Sequence, residues 1–375
     1  MKHLEKKGFF ITLIVCFSIL LFFINNGIER TSLYENNGRS FEKATVLQVL
    51  DDNTTSDGQH IGYQTVLLLI DSGKYKGTTV EAYSSSSYLY GAHCTTGMHV
   101  IATVNNNNGE LYVNVYSFDR SPILYMIVLL FLISIWALGG KKGFKSTLSL
   151  IFTFVCIIFM FIPLIYRGVS PIFAAIVVAA VTTIATMYLI GGISTKTLAS
   201  IISTILGIII SGILAVIFGR LTKISGFNVS DIEQLEYVGQ MTNIKIGELL
   251  YAGILISSLG AIMDVAMSVS SSMHEIFSKV NTLKQMELFK SGINIGRDMM
   301  GTMSNTLILA FTGNSINTLV FIYAYGYELN QLINMYSIGI EIIQGISATL
   351  GVILTVPISA YINSVLLSKK TAKID

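Results

Sequence analysis

Charge is what this chain has least of. Asp, Glu, Lys and Arg make up 12% of its 375 residues, against 52% for hydrophobic side chains. An ordinary soluble domain carries about 25% charged residues, so a soluble protein of this size would lack the ions to cover its surface. A surface turned mostly to lipid needs none. The net charge of +2 offers no bulk excess of cations for nucleic acid. Cysteine is scarce too, at three residues. Cys16 and Cys156 lie in apolar runs, where a thiol behaves as a small hydrophobe. Cys94 stands alone in a polar stretch, which excludes a disulfide framework there. Neither C-x-x-C nor H-E-x-x-H spacing occurs, so no metal site and no cofactor is expected. His93, Cys94 and His99 are the nearest approach to a metal cluster, and they lack a fourth ligand.

What is present is apolar sequence in long runs. Lys2, Lys6 and Lys7 precede a run from Phe9 to Ile24 that resembles a secretory signal. Asn25-Asn26-Gly27-Ile28-Glu29-Arg30 offers no small-x-small cleavage site. Val15 is too bulky for the lipobox position before Cys16. The segment therefore reads as an uncleaved anchor, residues 1–24. From 25 to 120 the texture changes to short runs rich in β-branched and aromatic residues: Ala44–Leu50, Gln64–Ile70, Thr78–Tyr83, His99–Val104 and Leu111–Phe118. Turn clusters separate them, among them Asp51-Asp52-Asn53, Asp71-Ser72-Gly73 and Asn105–Gly109. Five strands at this spacing predict a small all-β domain, an OB-like barrel. Oligonucleotide binding would need cations interleaved with aromatics, and the strands carry few.

Residues 121–375 read as a seven-helix membrane domain. Apolar spans run Ile123–Leu138, Thr147–Ile165, Ile172–Ile190, Leu198–Phe218, Leu249–Val269, Thr302–Tyr325 and Met335–Leu354. About 20 residues at 1.5 Å each cross a bilayer core of about 30 Å, and unpaired backbone in lipid is too costly for anything but helix. With the anchor this gives an all-α polytopic membrane protein of about eight spans, with one extracytoplasmic β-domain after the first. Fourteen cations fall on the loops and termini of one side: Lys2, Lys6, Lys7, Lys141, Lys142, Lys145, Lys196, Lys279, Lys284, Lys290, Arg297, Lys369, Lys370 and Lys373. The short loops of the other side hold Arg167, Arg220, Lys223 and Lys245. Positive charge favours the cytoplasm, so both termini are expected inside and residues 25–120 outside.

Two stripes of small residues recur at a spacing of four: Ala199, Ser203, Gly207, Ser211, Ala215 and Gly219, then Ser347, Gly351, Thr355 and Ser359. Small residues let helix backbones approach closely in lipid. They serve static packing, a sliding surface, or a homo-oligomer.

The chemistry-bearing residues lie within the last three spans. Asp264 shares a helical face with Ser257, Gly260, Ser268 and Ser271. Glu341 shares one with Asn334, Ser337, Gln344 and Ala348. An intramembrane carboxylate costs ~2.5–3.5 kcal/mol on insertion scales, so such residues turn to a bundle interior or a wet cavity. The seventh span opens on Gly301-Thr302-Met303-Ser304-Asn305-Thr306. Gly313-Asn314-Ser315-Ile316-Asn317 interrupts it, a run of poor helix propensity. A helix broken near carboxylates is a recurring way to build a midplane site. Asp264, Ser268, Asn305, Asn314, Glu341 and Gln344 are therefore the candidate ligands of an ion or small polar solute. The plainer reading is a clamp in which Asn305 or Asn314 hydrogen-bonds Asp264. Arg297 and Asp298 stand at the expected cytoplasmic entrance of the seventh span, where Asp298 suits a helix N-terminus. His274 reads as an interfacial residue.

Gly260-Ala-Ile-Met-Asp264-Val-Ala-Met-Ser268-Val-Ser-Ser271, followed by Ser291-Gly-Ile-Asn294-Ile-Gly296-Arg297-Asp298-Met-Met-Gly301-Thr-Met-Ser-Asn305-Thr-Leu307, resembles the YibE/F-like family of bacterial multi-pass membrane proteins. Lys141-Lys142-Gly143, Tyr75-Lys76-Gly77 and Pro357 are similar too. The resemblance covers almost the whole chain and is most specific in Ala261–Leu307. It implies a bacterial cytoplasmic membrane protein, of Gram-positive origin from its layout, and carries no activity with it. Where that family tends to place a basic residue near Glu341, this chain has Gln344. The expected function is a permease-like protein, not an enzyme. The alternative is a non-transporting scaffold whose β-domain binds an extracytoplasmic partner. The intramembrane acids lack the Gly-x-Gly-Asp pattern of aspartyl intramembrane proteases.

Overall fold

A computed structural model describes residues 2–27, 38–54, 61–85, 90–107, 110–280 and 282–371. Ile28, Glu29 and Arg30 after the anchor, Asn108 and Gly109 of the last strand turn, and Lys373 lie outside the described residues. The chain divides into two compact units: Ser32–Ser134, and the remainder.

The smaller unit is a closed five-stranded barrel in the order β1-β2-β3-β5-β4. Its strands are β1 (Arg39–Asp51), β2 (Tyr63–Ile70), β3 (Thr79–Ser85), β4 (His99–Asn107) and β5 (Glu110–Phe118). Each falls on one of the five runs expected from sequence. Alternation decides what points inward: Gln64, Val66, Leu68 and Ile70 of β2 are buried, while Tyr63 is exposed. β1 is long enough to pair with β2 and β4, and register shifts at Val46/Gln48 and Val49/Asp51 bend it between them. β3 and β5 pair in parallel and close the barrel. The buried amide of Gln64 is satisfied by backbone. Its Nε2 donates to the Cys94 carbonyl (3.1 Å) and its Oε1 accepts the Cys94 N–H (2.7 Å). Cys94 is core, 1% exposed, and burial pushes its thiol pKa up. That places it with the hydrophobes rather than in a metal cluster.

The larger unit is helical. Its elements begin with α1 (Lys2–Asn26) and the part of α2 (Ser121–Cys156) after Ser134, which continues through a π turn into α3 (Ile162–Tyr166). α4 (Pro171–Gly191), α5 (Thr195–Thr222), α6 (Ile232–Met241) and α7 (Leu249–Lys279) follow. α8 (Gln285–Asn314), α9 (Ile316–Tyr325), α10 (Leu329–Ile333) and α11 (Tyr336–Thr371) complete it. Among the described residues five helices are long and apolar enough to cross a membrane, or six if the bent pair α8–α9 is one span. The expected eight are thus not counted as separate long helices. The second and third expected spans lie in the stretch Ser121–Tyr166, which counts as one helix although it is kinked, and the anchor contributes a shorter apolar helix. The backbone of that stretch leaves helical geometry at Gly140 (φ 52°, ψ −132°), a conformation open to glycine.

The core is the contact of α5, α7 and α11, with α8 laid on α11 and α4 on α5 and α7. The small-residue stripe of α5 faces this centre: Ala199, Ser203, Ser211 and Ala215 are fully buried. A Cβ on Gly207 would lie 2.1 Å from Thr355 Oγ1 and 2.9 Å from Ile262. Ser211 Oγ donates across to the Ser347 carbonyl (3.1 Å). Both stripes are therefore used inside one chain, which leaves neither free to face a second copy.

α8 departs from expectation at its start. It begins at Gln285 rather than near Thr302, with Lys284 N–H donating to Glu287 Oε2 (2.9 Å) across its first turn. Glu287, not Asp298, is the acid at the N-terminus. The helix ends at Asn314, and α9 leaves at a bend of 63°. The break thus falls in the Gly313-Asn314-Ser315 run, where helix propensity is poorest.

Candidate functional site

The expected site residues must first be placed by depth. Asn363 Nδ2 donates to Ser270 Oγ (2.8 Å) and Ser359 Oγ to the Ala266 carbonyl (3.3 Å). Both pairs are 93 positions apart, so α11 runs parallel to α7 in that register. Glu341 is then level with the start of α7, about 20 Å along the helix axis from Asp264 at 1.5 Å per residue. Gln344 is one turn from Glu341 and shares its depth. The two half-buried polar residues of α11 and the carboxylate of α7 do not form one site.

α8 runs antiparallel to α11. A Cβ on Gly292 would meet Ala360 at 2.8 Å, and one on Gly296 would meet Val356 at 2.1 Å. This brings Arg297 and Asp298 to the depth of Asp264, within about one helical turn. Ser200 of α5 lies beside the Ala266 carbonyl (3.4 Å), so this level is about 10 Å inside the end of α5. The Arg297–Asp298 pair stands in the body of a helix, not at its entrance.

Asp264 lies on the side of α7 opposite the core, with Ser257 and Gly260, all exposed. Ser268 and Ser271 on the same face are half-buried. Asn305 and Asn314 are exposed on α8. No hydrogen bond joins either amide to Asp264 among the described residues, so the clamp does not form. Arg297, Asp298 and Asp264 likewise have no ion-pair partner there; the two ion pairs found are Lys43–Asp119 and Glu275–Lys279.

Beside Asp264 the helices enclose a groove of about 320 Å³. It is lined by Ser146, Ser149 and Thr153 of α2, Thr182 and Thr186 of α4, and Gly260 of α7 among apolar side chains. Asp264 is not itself in the lining; it follows Met263 and stands one turn from Gly260, both lining residues. The hydroxyls are mostly committed as donors. Ser146 donates to the Lys142 carbonyl (3.2 Å), Thr153 to Ser149 (3.0 Å) and Thr182 to Val178 (2.8 Å). Ser149 and Thr186 share a hydrogen across the helices at 2.5 Å. What they turn outward is chiefly lone pairs. The wall is mainly apolar, and the few hydroxyl oxygens set into it suit a group that brings hydrogen-bond donors.

A second polar seam is buried in the core. Ser200, Ser270, Ser359 and Asn363 meet around the Ala266 carbonyl, all fully buried. The Asn363 amide also donates to the Ser359 carbonyl (2.8 Å), while its Oδ1 has no partner.

Neither the groove hydroxyls nor Asn363 figures among the residues expected from sequence. Ser146, Ser149 and Thr153 do share a helical face, as do Thr182 and Thr186, and that spacing is the available signal. Asn363 lies beyond Leu354, the expected end of the last span, and so does not read as intramembrane.

A family model described as YibE/F-like protein matches residues 127–369. No curated protein matches, and no solved structure does.

Proposed function

Because this chain belongs to the YibE/F-like family, whose model covers residues 127–369, we propose that it is a permease-like protein of the bacterial cytoplasmic membrane. Its intramembrane site takes an ion or small polar solute. The observation that carries the reading is a mostly apolar groove whose wall includes the hydroxyls of Ser149, Thr153, Thr182 and Thr186, with Asp264 one helical turn beyond its lining residue Gly260. The apolar helices make it a membrane protein, and hydroxyls set into a groove within such a bundle help offset the cost of a nearby intramembrane carboxylate. Lone pairs and one carboxylate favour a cation or an N–H-bearing solute over an anion. We read eight spans from the apolar runs, with both termini cytoplasmic and an OB-like barrel outside. We read the protein as non-enzymatic, because Asp264 and Glu341 stand about 20 Å apart along the bundle.

The test is a set of fluxes into proteoliposomes containing the full chain, with alkali cations and small amines as solutes. Asp264→Asn is expected to abolish uptake while leaving thermal stability nearly unchanged, because an amide keeps the shape and loses the charge. Asp264→Leu is expected to abolish uptake as well. Full uptake by Asp264→Asn would show that the charge has no role, and the reading would fall.

A scaffold reading has one observation in its favour. Phe41, Tyr116 and Tyr90 form an exposed aromatic cluster on the barrel, with ring centroids 5.1 Å and 6.4 Å apart. Aromatic rings offer large contact area to a partner. In cells lacking the protein, rescue by Asp264→Asn together with failure of rescue by Tyr116→Ala would favour it.

A further inference from the structure

One face of α8 is left without a protein neighbour. Asn294, Arg297, Asp298, Gly301 and Asn305 are all exposed, on the side away from Gly292 and Gly296, which are buried against α11. Nothing lies within 4 Å of where a Cβ on Gly301 would sit. The face is polar from Asn294 to Asn305, and within it an arginine and an aspartate stand side by side in the chain. Neither side chain has a hydrogen-bond or ion-pair partner among the described residues, and both lie at the depth of Asp264, on the outer side of the bundle. Charges at such depth pair with one another or turn to water.

We propose that this face meets the same face of a second copy of the chain, forming a twofold dimer within the membrane. The argument is charge complementarity under symmetry. Two copies inserted with the same orientation are related by an axis along the membrane normal, so α8 meets α8 in parallel and each residue meets its own depth. A twofold contact is isologous, residue i meeting j and j meeting i. Adjacent charges of opposite sign satisfy that condition with themselves: Arg297 of each copy reaches Asp298 of the other, and two ion pairs form from one sequence step. A partner of one charge sign would complement only half of the face. Gly301 lets the two backbones approach one turn further on, and Asn294 and Asn305 above and below can hydrogen-bond across. The small-residue stripes, buried within the chain, take no part. The inference does not depend on the solute reading of the groove.

Cysteine cross-linking of the full chain in native membranes tests it. In a Cys16→Ser background, Asn305→Cys is expected to give an oxidant-dependent covalent dimer, and Ile213→Cys on the exposed side of α5 is not. Arg297→Asp, which sets four acids together, and Asp298→Arg, which sets four cations together, are each expected to reduce the Asn305→Cys dimer to the Ile213→Cys background. The exchanged pair, Arg297→Asp with Asp298→Arg, restores it. That restoration separates a pairing role from a folding defect, because the double variant carries both changes. No covalent dimer from Asn305→Cys, single exchanges without effect, or an exchanged pair that fails to restore would each overturn the proposal. Cross-links only within one chain, or only to another protein, would overturn it too.

Discussion

Gly207 lies where α5 packs tightly on α11, and its hydrogen is a structural requirement. A methyl there would strike Thr355 Oγ1 at 2.1 Å, and Thr355 cannot swing aside freely, because its hydroxyl donates to the Gly351 carbonyl at 2.7 Å. β-branched side chains are also stiff at χ1. Ile262 closes the other side at 2.9 Å. Gly207→Val should therefore force the two helices apart at a cost of about 1–3 kcal/mol, the usual range for overpacking. Thermal unfolding in detergent or nanodiscs checks this. A variant as stable as the parent would mean that the helices are not packed as closely as this contact requires. Asn363 sits in the same interface under a different constraint. Its amide hydrogens are spent on Ser270 and Ser359, while its oxygen is buried without a donor. Nothing in the sequence around Asn363 announces this arrangement, because each partner lies on another helix or one turn away.

At the scale of single elements, the barrel and α8 show what local sequence does and does not carry. The strands of the barrel are legible because inward and outward positions alternate, as in Gln64–Ile70, and because turn clusters bound each run. Their closure is not, since it depends on β1 bending at Val46/Gln48 to pair on both edges. The start of α8 is obscured because Lys290, Arg297 and Asp298 look like loop charges. In the structure they belong to the helix itself, while Leu288, Gly292, Gly296 and Phe311 repeat along its buried side. That stripe is present in the sequence. The break at Gly313-Asn314-Ser315 is legible because it rests on backbone propensity alone.

The barrel also supports a prediction of its own. Residues 38–125 expressed alone should give a soluble β unit, since the buried core of Val46, Val66, Leu68, Val100 and Val104 lies wholly within it. Ending the fragment at Tyr125 rather than Arg120 retains Ser121. Asp119 then sets its acid limit. The hydrogen bond from Ser121, followed by Lys43 at 3.3 Å, holds its carboxyl pKa below the ordinary range, against the opposing effect of burial. A depressed pKa stabilises the fold fully above the ordinary carboxylate pKa of about 4. The contribution is lost as pH falls below that through the depressed value. The melting temperature should drop as pH falls below about 4, and the drop should shrink in a fragment carrying Asp119→Asn. An identical acid profile in the two fragments would remove Asp119 from the account.

At the scale of the whole molecule, the distribution of cations and the packing of the helices converge on one orientation. Ser149 of α2 lies level with Thr186 near the end of α4, and the end of α4 lies against Thr197 near the start of α5. The start of α5 is level with the later part of α7, and the start of α8 with the end of α11. Lys141, Lys142, Lys145, Lys196, Lys279 and Lys284 therefore fall at one end of the bundle. At the other end, Ser170 donates to Glu248 and Tyr251 to the Ile224 carbonyl, which gathers Arg167, Arg220, Lys223 and Lys245. By the excess of positive charge in cytoplasmic loops, we propose that the cation-rich end faces the cytoplasm. Labelling of intact cells with a membrane-impermeant maleimide tests this in a Cys16→Ser background. Cys94 and Cys156 are buried and should stay silent, which disqualifies Cys94 as a reporter for the barrel. Glu81→Cys on the barrel and Lys245→Cys should label in intact cells. Lys141→Cys and Lys284→Cys should label only after permeabilisation. Labelling of Lys141→Cys in intact cells would invert the orientation and bring the level of Asp264, about 10 Å inside the Lys196 end of α5, near the outside of the cell.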